Sequence, residues 1–104
     1  MSEAARRYIE AMTARVRDGA GETSPGERRA AFDAAVVPAG ARALLEKVTR
    51  TAWKVTDDDI DGALAAGLTE DQVFELCIAA AAGQATRQFT AAMEAIDLAT
   101  KETP

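Results

Sequence analysis

Histidine is absent from the 104 residues, and cysteine occurs once, at Cys77. The first absence removes the commonest general base, the commonest zinc ligand and every Ser-His or Cys-His pair. The second excludes an intramolecular disulfide framework and a Cys/His metal cluster within one chain. Long apolar runs are also missing. The most apolar stretch, Val73 to Ala82, is broken by Glu75, so no membrane span is expected. The opening MSEAARRYIEAM has no uninterrupted apolar core and does not read as a signal peptide, which makes the cytoplasm the expected location. Basic clusters are lacking as well, and a net charge of −5 argues against nucleic acid as a partner.

Bulk is the next scarcity. The chain is 48% hydrophobic, yet about half of that share is alanine, which favours helix but fills little core volume. A single domain of this size with so thin a core is expected to self-associate. Charge is unevenly divided. Residues 1–54 carry ten Lys/Arg against seven Asp/Glu, whereas residues 55–104 carry two against ten. Such asymmetry orients one half, or one subunit, against another; solvated helix faces are the plainer reading.

Helix signals run throughout, without a convincing strand. An N-terminal amphipathic helix is expected within residues 1–18, capped by Ser2, with Ala5, Tyr8, Ile9, Met12 and Val16 on one apolar face. Residues 19–26 form the one substantial loop. Ser24-Pro25-Gly26-Glu27 then combines an N-cap, a first-turn proline and a capping-box glutamate. A short helix to about Ala35 places Phe32 on its buried side, and a third spans about Ala39 to Lys54. Thr56 opens a fourth helix that Gly67 closes, and Thr69 with Gln72 opens the last, to about Ala99. Phe74, Ile78, Ala81, Ala85, Phe89, Ala92 and Ile96 recur down one side of it. Gly83, inside that helix, marks a place where another backbone approaches. The expected fold is all-α, one compact bundle of about five helices.

Candidate chemistry is sparse. Asp57-x-Asp59-x-Asp61-Gly62 resembles the opening of a calcium loop, but its twelfth position is Leu68, which cannot ligate. A helix start with Thr56 and Asp59 as a capping box explains the same acids, so no metal is expected. "GETSPGER" has the glycine spacing of a phosphate loop without its Lys and Ser/Thr, and no cofactor motif is found. Cys77, between Leu76 and Ile78, reads as a buried inert thiol, with a redox role as the alternative. Asp57, Asp58 and Glu75 are the candidate carboxylates for histidine-free acid–base work. Trp53, Cys77, Gln84 and Arg87 are the candidate pocket residues, with a core role the alternative for Trp53.

The stretch "KVTDDDIDGALAAGLTEDQVFELCIAAAAGQATRQFTAAMEAI", Lys54 to Ile96, orders a capped helix, a Gly67-Leu68 turn, a capping-box helix and an alanine run. In that order it resembles the alkylhydroperoxidase D-like, carboxymuconolactone decarboxylase-like family. The resemblance covers about half the chain and extends more weakly over about residues 39–99. It implies a helical domain of the alkylhydroperoxidase D type that packs into trimers or hexamers. Peroxidase members of the family hold a Cys-x-x-Cys-x-x-x-His motif on the helix before the Gly-Leu turn. The matching region here holds Thr51, Lys54 and Asp58, so no catalytic residue carries over. The expectation is a non-redox oligomeric module that binds a small molecule or a protein. The alternatives are a carboxylate enzyme, or residual antioxidant activity through Cys77.

Overall fold

A computed structural model describes residues 2–101, which fold into five α-helices with no strand among them. They are α1 (Glu3–Asp18), α2 (Pro25–Phe32), α3 (Arg42–Arg50), α4 (Asp57–Ala65) and α5 (Glu70–Lys101). Single 3₁₀ turns at Ala39–Ala41 and Ala52–Lys54 flank α3.

The helix starts follow the capping grammar. Ser2 Oγ accepts from the Ala5 amide, and reciprocal capping boxes join Ser24 with Glu27 and Thr56 with Asp59. Thr69 and Gln72 exchange the same pair of bonds at the start of α5. Each box satisfies two amides that the first helical turn leaves without partners. At the end of α4, Gly67 adopts φ +105°, its amide donates to Leu64 O, and the Leu68 amide reaches Ala63 O. That pair of bonds is a Schellman closure.

Two helices are shorter than the sequence suggests. α2 stops at Phe32 because Ala34 turns left-handed at φ 56°, with its amide on Ala31 O and that of Ala35 on Ala30 O. This is a second Schellman closure, built on a residue without glycine's freedom. The expected helix from Ala39 to Lys54 is interrupted at Thr51, whose φ of −144° and ψ of 57° leave the helical region.

α5 is the spine. At about 1.5 Å per residue it is about 48 Å long, within a molecule of 58 × 28 × 19 Å. Its first half carries the core. Leu76, Ala79 and Ala80 pack with Ala31, Phe32, Ala41 and Leu45, and beside them Val73 meets Leu44 and Ala63. Gly83 is where α2 comes closest: a Cβ there would overlap the Phe32 carbonyl and lie 2.9 Å from its Cα. Leu76 is the one large side chain that is fully buried among the described residues.

The 19–24 loop is held from two sides. Arg28, itself buried, donates to the carbonyls of Val16 and Gly19 at the end of α1. Glu75 accepts from the amides of Glu22 and Thr23, each at 2.8 Å, and from Thr23 Oγ1 at 3.0 Å. Ion pairs of Asp18 with Arg29 and Arg17 with Asp33 tie α1 to α2. α1 nonetheless buries no residue, and its Tyr8 and Met12 remain exposed.

The side of α5 that carries Phe74, Ile78, Ala81, Ala85, Phe89, Ala92 and Ile96 faces away from the core, every one of these residues being exposed. The inward side carries Val73 and Leu76 and then narrows to Ala79, Ala80 and Gly83, where α2 approaches the backbone directly.

Candidate functional site

An apolar concavity lies between α3, α4 and the first turns of α5. Leu44 and Val48 of α3, Ile60 and Leu64 of α4, and Val73 and Phe74 of α5 line this open depression of about 270 Å³. Glu70 and Cys77 supply its polar lining. Lys47 fixes the angle between α3 and α4: its Nζ donates to both carboxylate oxygens of Asp59, at 3.0 and 2.8 Å. The Asp59 carboxylate also accepts from the Thr56 amide. The bond from Lys47, then that from Thr56, hold Asp59 below the usual carboxylate range against the opposing effect of desolvation.

A second concavity of about 390 Å³ separates the end of α2 from α3. Val36, Val37 and Leu45 form its apolar wall, and Arg42, Glu46 and Arg50 line its α3 side. These three charges stand one turn apart on a single helix face, a spacing readable in the sequence.

The candidate residues separate. Cys77 is half-buried in the α3–α4–α5 cavity, where desolvation pushes its thiol up and keeps it neutral. Glu75, two residues earlier, turns to the 19–24 loop. Desolvation opposes its charge, but the bonds from Thr23 and Glu22 and the charge of Arg28 outweigh it and draw the carboxyl below its usual range. Asp57 and Asp58 are exposed on the first turn of α4 and line neither concavity. That turn is helical from Asp57 onward, so its acids do not wrap a calcium ion as a loop does. Among the described residues no group of three or more acids or thiols is placed to hold a metal.

Trp53 departs from both of its expected roles. It is 79% exposed on the 3₁₀ turn after α3 and lines neither concavity, because the chain breaks at Thr51 and carries it outward. Arg87 and Gln84 do meet, Arg87 Nη2 donating to Gln84 Oε1 at 3.1 Å. Arg87 Nη1 then donates to the Phe32 carbonyl and closes the C-terminal end of α2. Both stand farther along α5 than Cys77, outside the cavity.

No family profile, curated protein or solved structure matches the chain. What the site can do must therefore be read from its own chemistry. It presents an apolar volume, one exposed carboxylate and one neutral thiol, which suits binding rather than nucleophilic attack. Sequence reasoning missed Leu44, Val48, Ile60 and Leu64, since ordinary core spacing gives no sign that four side chains will stop short of filling the space between them. No described helix is long and apolar enough to cross a membrane.

Proposed function

We propose that the chain is a non-redox, self-associating binding module of the alkylhydroperoxidase D-like, carboxymuconolactone decarboxylase-like type, whose ligand is an apolar small molecule held between α3, α4 and α5. The observation that carries this reading is the 270 Å³ cavity with its apolar walls and neutral Cys77. Support for the family comes from the order of the capped α4, the Gly67-Leu68 turn and the capping-box start of α5. Histidine-free acid–base chemistry finds no support, since Asp57 and Asp58 are solvated and Glu75 is ionised by its loop contacts.

Titration with the neutral fluorophore 1-aminoanthracene tests the cavity. Saturable fluorescence enhancement is expected, with loss of binding in Leu64→Phe, which fills the space, and no change in Leu98→Ala, outside it. Equal enhancement in all three proteins would overturn the reading.

A further inference from the structure

We propose that the outward face of α5, from Phe74 to Ile96, docks a second copy of this chain, with the two α5 helices antiparallel about a two-fold axis at Ala85. The proposal rests on the self-association stated above and names the surface that performs it.

The face is long and continuous. Phe74, Ile78, Ala81, Ala85, Phe89, Ala92 and Ile96 follow one another by four, three, four, four, three and four residues, an eleven-residue unit used twice. An eleven-residue repeat averages about 3.67 residues per turn, close to the 3.6 of a straight helix, so the face drifts little over about 33 Å. Val73, Leu76, Ala80 and Gly83 are buried on the other side of the same helix. At about 100° per residue the two sets point in nearly opposite directions. Over its first half α5 therefore has one apolar side spent on its own core and a second, bulkier side open to solvent. Beyond Arg87 the helix is exposed nearly all round.

The pattern fits itself in one orientation. With Ala85 opposite its own copy, antiparallel helices set Phe89 against Ala81 and Ile78 against Ala92, and Phe74 meets Ile96 at each end. Phe89 and Ile78 then sit over alanines, as close helix packing requires, and large meets large only at the two ends. A parallel pairing sets Phe against Phe and alanine against alanine, with gaps between the layers. Charge favours the antiparallel choice too. It brings Lys101, which has no ion pair among the described residues, beside Glu70 and Asp71 of the second copy, whereas the parallel one stacks those acids on each other. Two Phe, two Ile and three Ala from each copy supply several hundred Å² of contact, and the flanking residues bring it toward the about 800 Å² per partner of a stable interface.

The same register gives the cavity a second owner. Phe74 is one of its walls, so Ile96 of the second copy stands at its edge. Assemblies built on this contact contain two copies or a multiple of two.

Sedimentation velocity of the wild type, of Ala85→Glu, and of Ala85→Cys in a Cys77→Ser background tests the face, with circular dichroism as the control for folding. The expected result is an even-numbered oligomer, dissociated by Ala85→Glu at unchanged helicity, and an oxidised Ala85→Cys protein that runs as a covalent dimer. A wild type that stays monomeric at high micromolar concentration overturns both the face and the self-association. An oligomer that Ala85→Glu leaves intact and Ala85→Cys fails to cross-link overturns the face alone. Binding of 1-aminoanthracene reads the cavity separately in either case.

Discussion

The Cα of Gly83 faces the backbone of Phe32 so closely that no side chain fits between them. Two helices meet there at backbone distance, and Arg87 closes the contact by donating to the same Phe32 carbonyl. Gly83→Ala must push α2 away from α5. A loss of about 2 kcal/mol is expected despite the roughly 1 kcal/mol gained in helix propensity. Gly62, with no atom within 4 Å of its missing Cβ, is the counterpart. Gly62→Ala is expected to raise stability by up to about 1 kcal/mol. Urea unfolding of both variants decides it; equal effects would contradict the close approach.

Ala34 sits at φ 56° in a closure of the kind that Gly67 makes at +105°. An L-residue in the left-handed region is disfavoured by about 1 kcal/mol, partly offset by glycine's larger entropy loss. Ala34→Gly should therefore stabilise by about 0.5 kcal/mol or more, and Gly67→Ala should destabilise by about 1 kcal/mol. If Ala34→Gly proves destabilising by the same measurement, the turn is not formed as described.

Glu75 joins pH to the 19–24 loop. Its folded pKa lies below the ordinary 4.5, so the stability it contributes is complete above that value and is lost as pH falls through the folded one. Asp59 behaves in the same way from its ordinary 3.8 downward. Unfolding free energy should decline with falling pH below about 4.5, and less steeply in Glu75→Gln. At neutral pH that variant should lose about 2 kcal/mol, because the amide cannot accept all three loop bonds. Parallel pH profiles for the two proteins would remove Glu75 from this role.

Cys77 should behave as a shielded thiol, since burial raises its pKa and no cation is paired with it among the described residues. Its reaction with a disulfide reagent at neutral pH should run slower than that of a free thiol and speed up on unfolding. Purified protein is expected not to turn over hydroperoxide with a dithiol reductant. Turnover that Cys77→Ser abolishes would restore a redox function.

Local grammar made much of the fold legible. Ser2, the three capping pairs and Gly67 mark their own helix ends, because a cap is chosen by residues within one turn of it. The break at Thr51 and the left-handed Ala34 were not legible, since neither residue type demands such a conformation and only the packing around it does. Of the candidate site, Cys77 alone lines the α3–α4–α5 cavity, whose other walls came from helices that spacing could not place against one another.

The sequence by itself determined that this chain is helical, where most helices begin, and that it lacks the residues for histidine or dithiol chemistry. Only the tertiary structure decided which side of α5 is the inside. Periodicity marks Phe74 to Ile96 as one apolar line, but the helix turns Val73, Leu76, Ala79, Ala80 and Gly83 to the core, with α2 at backbone distance from Gly83. The bulky line was left facing outward.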